Sequence, residues 1–189
     1  MSDKASASAA KATRSAVDRK SNAGTTPDPW EACVRIEYGG DRSLAWSVRE
    51  EIIATPPQGH AGAEARLLKA LARPDCTDAG RAFVCQMLVM VAGATSVPAL
   101  AALVRDAKST EAARYALAAI PGPEATAALR DALGALSGPA KAGLIGSIAL
   151  RGDASVRYAL AGIKDNPSEA AIVREAATRA LEHLANAKA

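Results

Sequence analysis

The stretch from residue 96 to residue 184 contains the same two-helix pattern three times, and this periodicity constrains the fold more than any other feature of the chain. Each unit has a first helix with apolar residues three or four positions apart, a polar or Gly/Pro-containing turn, and an Ala-rich second helix. The units begin at Val97, Ala125 and Val156, with separations of 28 and 31 residues. A two-helix unit of this length has an apolar face that only a neighbouring unit can cover. The pattern therefore predicts a stack of helical hairpins.

The first helices of the three units have their apolar anchors in register. Second helices are predicted at residues 110–120, 140–151 and 169–186, with tight glycine turns between successive units. Aromatic residues make up only 3% of a chain that is 49% hydrophobic, so the core must consist of small and aliphatic side chains. The fold class predicted is all-α, an α/α superhelix. The anchors are Val97, Leu100 and Val104; Ala125, Leu129 and Leu133; and Val156, Leu160 and Ile163.

Two further hairpins are predicted before the repeats, giving about five in all. Asp28 is expected to cap a short helix that begins at Pro29 and ends at Gly39-Gly40. A second helix follows, then one at residues 61–72, and then one that is capped by Thr77 or Asp78 and runs to residue 92. The last is apolar nearly all round, which predicts burial between neighbours. The apolar stripes of the first two are Trp30, Val34 and Tyr38, and Leu44, Val48 and Ile52.

The chain divides into a tail, residues 1–28, and a helical domain, residues 29–189. The tail is rich in Ala, Ser and Lys and has almost no large apolar residue, so we predict that it is disordered. An amphipathic helix that forms on a partner is the alternative. The formal net charge is +3, and the first thirty residues contribute +2 of it. The helical domain thus lacks the concentrated basic charge of nucleic-acid-binding proteins, which makes nucleic acid an unlikely partner.

The cysteines and the apolar runs indicate a cytoplasmic protein. Cys33, Cys76 and Cys85 form no C-x-x-C pair, and we expect them to be reduced and buried. His60 and His183 stand alone, so no metal site is predicted. The longest apolar run is about 11 residues, too short to cross a bilayer, and no secretory signal is evident, so no membrane association is expected.

The repeats resemble a known family. Val173-Arg174-Glu175-Ala176-Ala177-Thr178-Arg179-Ala180-Leu181 resembles V-R-x-x-A-x-x-A-L, the second-helix signature of short HEAT repeats. The segments GATSVPAL at residues 93–100 and GDASV at residues 152–156 resemble the turn and first helix of the same repeats, in the variety called phycobilisome-lyase HEAT-like. A longer block, with ARYAL at residues 113–117 and ALRDALG at residues 128–134, resembles a bacterial group of largely uncharacterised HEAT-repeat proteins.

This resemblance implies a HEAT-like solenoid whose second helices line a concave face. The function expected is that of a non-catalytic scaffold or adaptor that binds a protein or peptide on that face. The candidate partner-binding residues are Arg114, Tyr115, Lys141 and Arg174, all on second helices. In HEAT arrays, arginines at the positions of Arg114 and Arg174 often form a ladder with turn aspartates such as Asp153. This structural role is the interpretation favoured for these residues, and partner binding by Arg114 is the alternative.

No catalytic or cofactor-binding residue is predicted, and we expect no enzyme activity. Two other functions follow from the resemblance alone: a phycobilin-lyase-like enzyme subunit, and a HEAT-like nucleic-acid-binding or repair protein. Trp46 lies off its helix's apolar stripe and is either packed against the tail or first helix, or an exposed interaction hot spot. Gly143 and Gly146, inside a predicted helix, indicate close helix approach.

Overall fold

The computed structural model describes residues 28–186, and within them the protein is all-helical, with ten α-helices and no strand. The predicted disorder of the N-terminal tail falls almost entirely on residues 1–27, outside this range. None of the ten helices combines the length and the apolar character needed to cross a membrane.

The ten helices are numbered in chain order, and short 3-10 turns lead into or follow several of them. Their bounds are α1 Pro29–Ala32, α2 Ser43–Ala54, α3 His60–Leu71, α4 Asp78–Val91, α5 Val97–Leu103, α6 Thr110–Ala119, α7 Pro123–Asp131, α8 Gly138–Leu150, α9 Arg157–Asp165 and α10 Ala171–Asn186.

The helices pack in two layers. Helices α4, α6, α8 and α10 contact one another in succession, and we call them the second-helix row. Behind this row, α3, α5, α7 and α9 each pack against the row helix that follows them in the chain, and α5 also contacts α7. At the N-terminal end, α1 lies against α2 and α3, while α2 packs on α4.

The predicted core positions are confirmed. Of the nine first-helix anchors, only Ile163 remains half-buried, and the other eight are buried in one hydrophobic core. The three predicted second helices of the repeats correspond to α6, α8 and α10, with bounds that differ by at most two residues. Asp28 caps α1 by accepting a hydrogen bond from the backbone N–H of Trp30. Thr77, rather than Asp78, caps α4.

The first predicted helix is shorter than expected. It ends at Ala32, and after a 3-10 turn at Cys33–Arg35 the backbone is extended at Ile36, so Tyr38 is 70% exposed instead of continuing the stripe. The reason is a tertiary contact. The backbone N–H of Thr77 donates to the Val34 carbonyl at 2.9 Å, and the Thr77 hydroxyl donates to the carbonyl of Ile36. These bonds hold the chain out of helical conformation.

Gly80, in the first turn of α4, makes this contact possible. A Cβ at this position would lie 2.0 Å from the carbonyl oxygen of Val34 and 2.5 Å from its carbonyl carbon. Both are backbone atoms, which cannot rotate away as a side chain would. The glycine therefore allows α4 to pack directly on the 3-10 turn.

Helix α4 is not buried all round, contrary to expectation. Phe83 and Met87 are buried, but Gln86, Val89 and Met90 are exposed. These three occupy one stripe of the helix, on the side that no other described helix covers. Helix α4 therefore has more apolar side chains than its contacts with the other described helices bury.

The three cysteines are free and buried, as predicted. Burial raises the pKa of the Cys33 thiol from 9.0 to about 11 and that of Cys85 from 9.0 to about 12, because the thiolate loses its hydration. Both thiols are therefore protonated and unreactive in the folded protein at neutral pH.

The raised pKa values of Cys33 and Cys85 predict that the folded protein loses stability in alkali. Above pH 9 the unfolded chain releases thiol protons that the folded chain retains until about pH 11 for Cys33 and about pH 12 for Cys85. The unfolding free energy should thus be insensitive to these groups below pH 9 and fall above it, by about 1.4 kcal/mol per pH unit for each retained proton. Urea titrations from pH 8 to 11 measure this slope. A Cys33→Ala/Cys85→Ala variant should show a shallower slope, and equal slopes in the two proteins would contradict the assignment.

Candidate functional site

The second-helix row has one exposed stripe per helix. Neighbouring row helices cover the flanks of α6 and α8 and one flank of α4 and of α10, and the other layer covers their backs. We call the remaining exposed sides of the four helices, taken together, the free face. Two of its large apolar side chains are strongly exposed, Tyr115 at 54% and Leu150 at 78%. The free face comprises Gln86, Val89 and Met90 on α4, Glu111, Tyr115 and Ala119 on α6, Ala142, Gly146 and Leu150 on α8, and Glu175 and Arg179 on α10.

Arg114 lies beneath the free face and links α6 to α8. Its side chain is buried; Nη1 donates to the Ser147 hydroxyl at 2.9 Å, and Nε donates to the Glu111 carboxylate at 3.0 Å. Burial alone would lower the pKa of Arg114, but the bonds to Glu111 and Tyr115 outweigh it and raise the pKa, so the guanidinium stays charged. It also lies 4.1 Å from the centre of the Tyr115 ring. Arg114 thus positions the exposed tyrosine.

Gly143 provides the space that Arg114 occupies. A Cβ there would lie 2.9 Å from Nε of Arg114. Gly143 is thus closely approached, but by an arginine side chain, so the predicted close approach of a neighbouring helix is not found there. The prediction is also wrong at Gly146, where a Cβ would meet nothing within 4 Å. Gly146 instead lines a shallow cleft between α8 and α10, beside Leu150 and Arg179.

The other two predicted cations make contacts within the chain. Lys141 is buried at the start of α8, where its ammonium forms an ion pair with Glu169, just before α10. Arg174 is half-buried and donates to the carbonyl oxygen of Pro167 at 3.3 Å. Of the four candidate residues, Tyr115 is the one whose side chain is exposed on the free face.

The predicted aspartate ladder has a different partner. Asp153 lies 3.4 Å from Nη1 of Arg130, a first-helix residue of the preceding unit, and accepts hydrogen bonds from the N–H and the hydroxyl of Ser155. Its carboxylate therefore joins two units through α7, and neither Arg114 nor Arg174 pairs with it.

Arg151 is a linking residue that sequence reasoning missed. It follows α8, and its guanidinium reaches back to the end of α6 in the same row. Nη1 donates to the carbonyls of Leu117, Ala118 and Ile120 at 3.2, 2.9 and 2.7 Å; Nη2 donates to the carbonyl of Gly122 at 2.8 Å, and Nε donates to the Thr126 hydroxyl at 2.8 Å. The carbonyls at a helix C-terminus lack partners within the helix and carry partial negative charge, so a guanidinium is well suited to them. A basic residue before Gly152 was the only sequence signal.

Trp46 is an exposed residue, not a core residue. Its side chain is 53% exposed, and Arg49 lies 5.7 Å from its ring centre. Trp30, the other tryptophan, is buried and donates from Nε1 to the Glu51 carboxylate at 2.6 Å, with Arg66 stacked on its ring. Trp46 is therefore not enclosed in the core as Trp30 is.

Within residues 28–186, no group of three or more His, Cys, Asp or Glu side chains could hold a metal ion. No family model matches the sequence, and comparisons with curated proteins and with solved structures also find no match.

Proposed function

We propose that this protein is a non-catalytic scaffold of HEAT-like repeats that binds an apolar segment of a partner protein along its free face. The observation that carries the proposal is the presence of an exposed apolar side chain on each of three successive row helices: Met90 on α4, Tyr115 on α6 and Leu150 on α8. Exposed apolar side chains that continue from one element to the next are typical of interaction surfaces.

The succession of contacts along the second-helix row supports a solenoid. Each row helix touches the next, and each is backed by the preceding helix of the chain, which is the arrangement that stacked helical hairpins produce. Packed helices lie about 8–10 Å apart. The distance from α4 to α8 is then about 18 Å, which corresponds to five or six residues of an extended chain at about 3.3 Å per residue.

The charges near the free face support a protein partner over a nucleic acid. Arg114 is paired with Glu111, and Arg179 lies 3.7 Å from Glu175 in an ion pair one helical turn away. A cation that is already neutralised within the chain releases few counterions on meeting a phosphate, so it adds little to nucleic-acid affinity. An apolar segment of a protein, by contrast, can bind without an unpaired cation on the free face.

Site-specific crosslinking tests the proposal in the intact chain. A photoreactive phenylalanine analogue replaces Tyr115 in one variant and Tyr158 in a matched control, because Tyr158 is 92% exposed but lies on α9, outside the second-helix row. In cells of the source organism, adducts to a defined protein should form at position 115 at least about tenfold more than at position 158. Leu150→Ser should reduce them about fivefold to tenfold, since a buried apolar contact at an interface contributes about 1 kcal/mol or more.

The outcomes of this experiment are decisive. Adducts at equal levels from both positions, or none from position 115, would reject the free face as the binding surface. Leu150 is the last residue of α8 and mostly exposed, so its replacement should leave the melting temperature nearly unchanged. A loss of adducts in that variant therefore reports on binding and not on folding.

A further inference from the structure

A groove separates α2 from α4 at the N-terminal end of the second-helix row. One side of the groove is lined by Arg42, the residue just before α2, and by Ala45, Trp46 and Arg49 of α2, with Arg42, Trp46 and Arg49 at i, i+4 and i+7. The other side is lined by Phe83, Gln86 and Met87 of α4. These spacings place each set on one side of its helix, so two stripes face each other. The empty volume, counted to the open mouth, is about 690 Å³. Phe83 and Met87 are buried and form the floor, whereas the half-exposed Trp46 forms a wall.

The groove is apolar inside and basic at its rim. Arg42 is half-buried and Arg49 is exposed, and neither forms an ion pair with any residue from 28 to 186. None of the lining side chains is acidic. By contrast, Arg66 on α3 and Arg73 just after α3 have acidic partners, Glu51 at 2.9 Å and Asp75 at 2.9 Å. Two unneutralised guanidinium groups beside an exposed tryptophan favour an occupant that is both anionic and apolar.

We propose that the α2–α4 groove binds an acidic segment of a partner protein, with an apolar anchor residue in the groove and carboxylates on Arg42 and Arg49. Arg42 and Arg49 are seven positions apart, which corresponds to about 10 Å along the axis of a helix. In a segment with polyproline II conformation, which has three residues per turn, side chains three residues apart lie on the same side and are separated by about 9 Å. The segment therefore has acidic residues at positions i and i+3 and a large apolar residue between them.

The chain's own N-terminal tail is a poorer occupant. Residues 1–27 contain five basic residues and two acidic ones, and therefore share the sign of charge of the rim. Nucleic acid fits less well too, because phosphate binding draws on several cations in a row and the groove offers two. Apart from Gln86, no lining residue belongs to the free face, so the test of this groove is independent of the test of the binding surface around Tyr115.

Fluorescence anisotropy with the full chain tests the groove. The probe is a fluorescein-labelled peptide with a Glu-Leu-Phe-Glu core between Gly-Ser flanks, and the comparison peptides carry Gln-Leu-Phe-Gln or Glu-Ala-Ala-Glu instead. The first peptide should bind at least about tenfold more tightly than the other two. Trp46→Ala should weaken its binding at least about tenfold, and Arg49→Gln about fivefold. The matched control is Arg105→Gln, an exposed arginine remote from the groove in sequence and without an ion pair among the described residues, which should change nothing.

Three results would overturn the proposal: equal binding of all three peptides, insensitivity to both groove variants, or an equal loss in the Arg105 variant. A fluorescein-labelled twelve-nucleotide oligo-dT serves as a further probe. If it binds more tightly than the Glu-Leu-Phe-Glu peptide, and if this binding depends on the groove arginines, the occupant is single-stranded nucleic acid and not an acidic segment. If Trp46→Ala lowers the melting temperature by more than a few degrees, Arg42→Gln and Arg49→Gln decide the question, because Arg49 is exposed and Arg42 is only half-buried, and neither forms an ion pair among the described residues.

Discussion

Replacing Gly80 with alanine should destabilise the folded protein by about 3 kcal/mol or more. The added methyl group would stand 2.0 Å from the Val34 carbonyl oxygen and within 2.8 Å of its Cα, and neither can move without shifting the 3-10 turn at Cys33–Arg35. Moving that turn would break the hydrogen bonds from Thr77 to Val34 and Ile36. Overpacking at a rigid contact costs about 1–3 kcal/mol, and the lost bonds add to it. Urea unfolding followed by circular dichroism measures the effect.

The matched control is Gly62→Ala. Gly62 also lies inside a helix, α3, but a Cβ there would meet nothing within 4 Å, so alanine should stabilise the protein by up to about 1 kcal/mol through its higher helix propensity. The two substitutions are chemically identical and should have opposite signs. If Gly80→Ala proved neutral, the packing of α4 on the 3-10 turn would have to be looser than described.

Removing the guanidinium of Arg151 should cost about 3 kcal/mol. In Arg151→Met the carbonyls of Leu117, Ala118 and Ile120 at the end of α6 lose a charged donor, and the hydroxyl of Thr126 loses its partner. A hydrogen bond to a charged group contributes about 1.5–3 kcal/mol, and acceptors left without a partner add a desolvation cost. For a domain of this size the melting temperature should fall by about 10 °C. Lysine should restore only part of the loss, because a single ammonium group cannot reach all these acceptors.

Arg130→Met provides the comparison. The Arg130 side chain is 42% exposed in its ion pair with Asp153, and such pairs contribute at most about 1 kcal/mol. A loss of stability for Arg151→Met no greater than that for Arg130→Met would refute the linking role assigned to Arg151. Differential scanning fluorimetry ranks the two variants directly.

The sequence predicted the helices and their core positions because these depend on local pattern. Val97, Leu100 and Val104 recur at helical spacing, and most of the stability of such a helix comes from burial of this apolar stripe. The end of α1 at Ala32 could not be predicted from local pattern, since it results from hydrogen bonds of Thr77 to carbonyl groups more than forty residues away. The exposure of Met90 has the same origin: the pattern shows that α4 is apolar, but not which side lacks a neighbour.

The candidate site was less predictable than the fold. Arg114 and Lys141 both look like exposed cations on second helices in the sequence, yet both are buried. Each is buried together with a polar partner, Ser147 or Glu169, that lies about thirty residues further along the chain, so the local pattern does not reveal it. Tyr115 could be identified because it is an aromatic residue on a second helix in a chain with few aromatics. Arg151 could not, since any basic residue near a helix end shows the same local pattern.

The contact between Arg114 and Tyr115 also affects the thermodynamics of binding. An exposed tyrosine usually samples several rotamers and loses that freedom when a partner immobilises it, at a cost of about 0.5–1.5 kcal/mol. Here the guanidinium, itself fixed by Glu111 and Ser147, packs on the ring and favours one of its orientations. Part of the ordering entropy of Tyr115 is thus lost when the chain folds rather than when it binds, so a contact with this ring would carry a smaller entropic penalty than one with a fully mobile side chain.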